Sequence, residues 1–306
     1  MKICFIAPGE IEIPPTGWGA LETVLWNQFN ALKNLGEDVY FVNEKDTQLT
    51  YEKVKEINPD VIHLHYGKHW EIMPLFSCKK IVTSHDGSFL QSIKFHEQLV
   101  RKFYFDCNFF VLTSWERNFL LQIGISPNNI KILPNGVDFK SFTVSQNPKK
   151  INNSICLGKI DKRKNQAFLQ KLDCGIDFIG QNNCVNFNPL DESFLGIWNR
   201  QQVFSQMTEY ANLVLVSNSE LQPLVCLEAL SCGLGLVISE SASQNLDKNL
   251  PFITIIEDEK IKDKSYVREK ILENRKFCST MNRLDVVNYA KSFSWENIAK
   301  KYIKYL

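Results

Sequence analysis

What most limits the folds open to this chain is an alternation. Short apolar runs (KICFIA, DVYFVN, DVIHLHYG, KIVTSHDG, CNFFVLTS and, at 130–138, IKILPNGVD) are separated by segments with helical spacing. Those segments are LETVLWNQFNALKNLG (21–36), TYEKVKEINP, FHEQLVRKFYFD and SWERNFLLQIG, the last starting at a Ser cap. Strand–helix repetition of this kind predicts a parallel sheet with helices on both faces. The polar stretch TVSQNPKKINN (143–153) has no period and reads as a linker. A second series follows: SICLGKI, QAFLQKLD, IDFIG, VNF, RQQVFSQMTEYA, NLVLVSNS, a helix from about Pro223 to Cys232, and LGLVIS. The expectation is an α/β chain with a Rossmann-like domain over 1–146 and a second over 147–293. A terminal helix (294–306) packs back on the first. Two such sheets in tandem place a cleft at the carboxyl ends of their strands.

Composition narrows the function. With 44% apolar and 23% charged residues the chain is globular, and 306 residues suffice for two cores. A formal charge of +1 supplies no field to draw it onto nucleic acid. Nine cysteines without a C-x-x-C read as buried hydrophobes in a reducing, cytoplasmic setting. The chain opens on a strand-like run, so no signal peptide is expected. Leu221–Ser239 is long and apolar enough to suggest a membrane helix, but Gln222, Pro223, Glu228 and two glycines argue against one.

That same segment, SNSELQPLVCLEALSCGLGLVIS (217–239), keeps two carboxylates, Glu220 and Glu228, with seven residues between them. Pro223 suits the first turn of a helix, and the N–H groups of Leu224 and Val225 would then form an anion-accepting end. A diphosphate could meet those amides, with one carboxylate taking ribose hydroxyls and the other facing a sugar. On spacing alone, a half-buried helix whose glutamates meet lysines at its edges is the better fit, since a pair of glutamates eight apart is common.

In context, the segment resembles the donor-binding stretch of the retaining glycosyltransferases of family 4, which have the GT-B fold. Other segments match that family in order. PPTGWGALETVLWNQFNALKNLGEDVYFV resembles its glycine loop and first helix, and IKILPNGVDFKSF the approach to its hinge. LGKIDKRKN stands where the family has G-R-x-x-x-x-K-G, and FSWENIAKKY resembles its closing Trp-containing helix.

The resemblance implies roles. Glu228 would hold the donor ribose, and Glu220 would face the donor sugar. The amides after Pro223, at Leu224 and Val225, would hold the diphosphate. Lys159 and Lys164 would neutralise the departing phosphate, with Arg163 sharing that task. Position 159 is Lys where the family mostly has Arg, which gives a point charge without the bidentate fork. Gly19 would let the backbone approach the donor, with Ala20 in place of the usual second glycine. His85 would lie by the donor sugar. KIDKRK also reads as a solvated basic turn, and a lone histidine at a strand end as structural.

The implied activity is retaining transfer of a hexose from a nucleoside-diphosphate sugar to a hydroxyl on a glycan, glycoprotein or glycolipid. UDP-glucose is favoured over a GDP-sugar on family frequency alone, and no metal is expected. A nucleotide-sugar-binding protein without transfer activity is the main alternative; an epimerase or phosphorylase of the same fold is a weaker one. GWGALE lacks the third glycine of a nicotinamide site. His63 and His65 share a strand face, but no carboxylate or cysteine nearby completes a metal set. KFHEQLVRKFYF (94–105) alternates cations with aromatics, a pattern of membrane-surface helices and, more often, of core helices with a solvated edge.

Overall fold

The computed structural model describes residues 1–17, 19–85 and 106–306. The expected helix FHEQLVRKFYFD and the 94–105 stretch lie outside the described residues. The chain divides into two compact units, Met1–Gly136 with Trp295–Leu306, and Val137–Ser294.

In the first unit, strands β1 (Lys2–Ala7), β2 (Asp38–Asn43), β3 (Val61–His65), β4 (Lys79–Thr83), β5 (Asn108–Val111) and β6 (Ile130–Ile132) form a sheet of order β2-β1-β3-β4-β5-β6. Every pairing is parallel; Ile3, for example, lies opposite Val39 on one side and Val61 on the other. Alternate residues go to opposite faces. Cys4, Ile6, Ile62 and Leu64 pack with Val54 of helix α2 (Thr47–Ile57) and Leu120 of α3 (Ser114–Gln122). On the other face, Phe5, His63 and Phe110 meet the Tyr302 ring. Helix α1 (Ala20–Asn34) begins at Gly19.

The second unit carries β7 (Lys150–Leu157), β8 (Ile176–Ile179), β9 (Tyr210–Leu215), β10 (Gly235–Ser239) and β11 (Ile253–Ile256) in the order β11-β10-β9-β7-β8, again parallel. The period of two is plain here. Leu213, Leu215, Leu236 and Ile238 join one core with Val203 and Leu227, whereas Val214, Val216 and Val237 join another with Leu169 and Ile271. Helices α4 (Gln166–Leu169) and α7 (Lys264–Cys278) therefore cover one face. Helices α5 (Arg200–Gln206), α6 (Leu224–Ser231) and α8 (Arg283–Ala290) cover the other. The last helix, α9 (Trp295–Tyr305), belongs to the first unit and buries Trp295, Ile298, Ala299 and Tyr302.

Several expectations shift. The division falls between Gly136 and Val137, before the polar stretch, because Val137 and Phe142 pack into the second unit's core and the Val137 N–H bonds Phe293 O. The polar stretch itself runs into β7. VNF is not a strand: Val185 is fully exposed, and only Phe187 is buried, edge-on to Phe178. The cap of α3 is Thr113, not Ser114, because Thr113 and Glu116 exchange the two hydrogen bonds of a capping box. Among the described residues no helix is long and apolar enough to cross a membrane, and 221–239 is divided between α6 and β10. All nine cysteines are thiols, none joined in a disulfide. Burial pushes the thiols of Cys4 and Cys156 up to about 12, which leaves them inert.

Candidate functional site

In the second sheet, β7 lies between β8 and β9, so the connections after β7 and β9 leave in opposite directions. Such a switch point opens a crevice at the carboxyl ends of those two strands. The loop after β7 starts at Gly158, with φ +141°, against Gly180, with φ +147°. A Cβ on Gly180 would stand 2.0 Å from Gly158 O, so these strand ends meet backbone to backbone.

The next turn is fixed by side chains. Asp161 accepts the Lys164 N–H through Oδ1 at 3.0 Å. Asn165, in the left-handed region at φ 60°, donates its amide to Val216 O and to Asn218 Oδ1, both at 2.7 Å. The Asn218 N–H in turn bonds Arg163 O at 2.8 Å. The loops after β7 and β9 are thus laced together.

This lacing gathers three of the residues singled out from the sequence. Glu220 Oε1 lies 2.8 Å from Arg163 Nη1 and 3.2 Å from Lys164 Nζ, and accepts the Ser217 hydroxyl at 2.9 Å. Glu220 and Lys164 are largely enclosed, with side chains 11% and 13% exposed; Arg163 reaches solvent. The Lys164 ammonium also sits over Gly158, 3.5 Å from where a Cβ would stand. A cation pair and a carboxylate at a switch point can exchange partners with an incoming phosphate and sugar. Lys159 is not drawn into the cluster. Its side chain is exposed and forms no ion pair among the described residues, and its carbonyl accepts from Gln166.

Helix α6 follows directly. Pro223 is its N-cap, with φ −71° and ψ 122°, not its first helical residue as expected. The extended ψ leaves its carbonyl free to accept the Cys226 N–H at 3.1 Å and close the first turn. No side chain caps this end, so the N–H groups of Leu224 and Val225 have no acceptor within the helix. Leu224 is half-buried, whereas Pro223 and Val225 are buried. Glu228, further along the helix, is buried, and its Oε1 lies 2.7 Å from Arg200 Nη1.

Arg200 escaped the sequence reading. It is the first residue of α5, behind a capping box between Asn199 and Gln202. A cation at that position opposes the helix dipole. Glu228 and the Phe204 ring, 4.7 Å beneath the guanidinium, hold it there. The N-R-Q-Q pattern marks the helix start, but nothing local names the carboxylate across from it.

In the first unit, Gly19 is the N-cap of α1, and Ala20 is the first helical residue. A Cβ on Gly19 would come within 2.8 Å of Glu22 Oε2 and 3.3 Å of Pro15 Cβ, so the loop is tight here without a left-handed φ. His85 follows β4, and its Nε2 lies 3.0 Å from Nδ1 of His65 at the end of β3. His65 Nε2 is buried with no partner.

His63 is structural. Thr83 Oγ1 donates to Phe110 O, so it must accept from His63 Nε2–H at 2.8 Å. His63 Nδ1 is then the acceptor for the Tyr302 hydroxyl at 3.1 Å. Both ring nitrogens are used, and burial holds His63 and His65 well below the usual histidine range. Among the described residues no three His, Cys, Asp or Glu side chains are grouped to hold a metal ion.

Comparison with known proteins places this geometry in a fold. No family model and no curated protein matches the sequence. Solved structures do. Sucrose-phosphate synthase from Thermosynechococcus elongatus is 14% identical, with 99% of this chain and 98% of that one covered and a TM-score of 0.76. HepE from Anabaena in complex with UDP-glucose is 16% identical over 99% and 98%, with a TM-score of 0.71. The lipopolysaccharide outer core galactosyltransferase WaaB in its apo form is 16% identical over 100% and 99%, with a TM-score of 0.70. The two parallel-sheet units are those of the GT-B fold, which these glycosyltransferase structures share.

Proposed function

We propose that the chain is a nucleotide-sugar-dependent glycosyltransferase of family 4. It moves a hexose from a nucleoside-diphosphate sugar to a hydroxyl acceptor with retention at the anomeric carbon. The observation that carries this reading is the Arg163–Lys164–Glu220 cluster at the carboxyl ends of β7 and β9, beside the uncapped start of α6. UDP-glucose is the favoured donor; the HepE structure similar to this chain holds that molecule.

The barrier to such a transfer is largely electrostatic: negative charge grows on the leaving diphosphate while the sugar becomes oxocarbenium-like. Lys164, with Arg163, Lys159 and the amides of Leu224 and Val225, would stabilise the first. Glu220 would face the second. Lys164 and Arg163 are already oriented by Glu220, so their realignment on a phosphate costs little reorganisation. Glu228 would take the ribose hydroxyls, with Arg200 beside it. In the first unit, Gly19 would admit the donor closely, and His85, steadied by His65, would sit at the sugar.

Binding is proposed to rest on protein groups alone, so EDTA should leave transfer unchanged; loss of activity that Mg²⁺ or Mn²⁺ restores would contradict this. Incubation with labelled UDP-glucose or GDP-mannose tests the whole reading. Release of nucleotide, slow without acceptor and faster with one, is the expected result. The second reading, a nucleotide-sugar binder without transfer activity, draws on the neutralisation of both glutamates by basic partners and on Lys159 and Ala20. It predicts saturable UDP-sugar binding with no release. Absence of both binding and release would sink either version.

A further inference from the structure

The second unit has another cavity, of about 460 Å³, that none of the residues assigned above to the donor enters. Four lysines line it: Lys162, Lys171, Lys262 and Lys264. Among the described residues none of the four is paired with a carboxylate. Their neighbours behave otherwise: Lys260 is paired with Glu257 and Lys270 with Glu273. Asp161 is the one acid in the wall, and its Oδ1 is spent on the Lys164 N–H. Four cations against one carboxylate about one concave surface, in a chain of net charge +1, leave a local excess of positive charge that attracts an anion.

Lys264 is the first residue of the 15-residue helix α7, whose N-cap Asp263 turns its Oδ1 to the Tyr266 N–H and the Ser265 hydroxyl and forms no ion pair with Lys262 or Lys264 among the described residues. Lys262 donates to Asn165 Oδ1 and lies 5.4 Å above the Phe168 ring. It is thereby held at the cavity wall instead of trailing into solvent.

We infer that this cavity is a second anion site, which takes the phosphoryl group of a small phosphate monoester. Ammonium groups suit a compact dianion with three acceptor oxygens better than a singly charged carboxylate. The volume exceeds what inorganic phosphate needs and leaves room for a sugar-sized body against Phe168. Half-buried Ala167 and Phe168 add apolar surface to the basic lining, which fits a small molecule with an apolar face beside its phosphoryl group.

The test is calorimetric titration with glucose 6-phosphate at an ionic strength of about 0.15 M, where non-specific attraction is screened. Saturable binding is expected, none with glucose, and competition by inorganic phosphate. The double substitution Lys171→Gln with Lys262→Gln should weaken it by about tenfold or more, while Lys164→Gln should leave it unchanged. Both lysines are exposed, so these variants should fold. In the unaltered protein, glucose 6-phosphate should also shield Lys171 and Lys262 from acetylation, read by mass spectrometry. No saturable binding, no competition by phosphate, equal affinity in the double variant, or a loss as large in Lys164→Gln would each overturn the assignment. The result does not depend on whether the chain transfers sugars.

Discussion

At the scale of single residues, the sharpest expectation concerns Lys164. If it stabilises the departing diphosphate, Lys164→Ala should lower turnover at saturating donor by roughly 10²–10³, and full activity would remove it from the mechanism. Glu228→Gln should act on binding: nucleotide affinity falls by roughly tenfold while turnover changes less, and unchanged affinity by calorimetry would contradict the ribose role. Glu116 bears on stability. Its Oε2 accepts the N–H groups of Leu112 and Thr113, Oε1 is buried without a partner, and burial lifts the carboxyl from 4.5 to about 7. Between those values the folded chain keeps a proton that the unfolded chain has released, so stability falls as pH rises across the window. The size is of order 3 kcal/mol. Glu116→Gln should therefore be more stable than the parent at about pH 8 and converge with it near pH 5 in urea unfolding; a retained pH slope would refute this. Legibility at this scale follows distance along the chain. Lys164 and Glu220 were readable because each stands in a local pattern at a strand end. Arg200 was not, because its partner is chosen by packing.

At the scale of elements, the alternation of strands and helices was legible because fully buried parallel strands leave continuous apolar runs. Ends and short pieces were not. VNF looks like a strand, but only Phe187 has a core to enter, and Pro223 could be placed inside or before a helix until ψ was known. The close pairing of β7 and β8 through Gly158 and Gly180 makes another prediction. Gly180→Ala combines an unfavourable φ of +147° with a Cβ 2.0 Å from a carbonyl oxygen. It should destabilise the second unit by about 3 kcal/mol or more and displace Lys164. Wild-type stability and nucleotide affinity in that variant would show that the strand ends can part.

At the scale of the whole molecule, the first unit is closed by the last helix. Tyr302→Phe leaves His63 Nδ1 buried without its donor and should cost that unit about 1–3 kcal/mol, with the second unit's unfolding unchanged. His63 and His65, neutral when folded, should also cost the first unit stability as pH drops below the ordinary histidine value of 6.5, since the unfolded chain then gains protons. A unit whose acid sensitivity is unaltered by replacing His63 would refute this. The two-unit pattern was readable from repetition, but the position of the division was not, because Val137 belongs by packing to one unit and by sequence to the run that ends the other. Trp295 stands against Gly136, with its ring 2.5 Å from where a Cβ would be, so residues 137–294 form a loop inserted between two pieces that touch. The first unit therefore closes only when two stretches far apart in sequence meet, whereas the second is built from one continuous run.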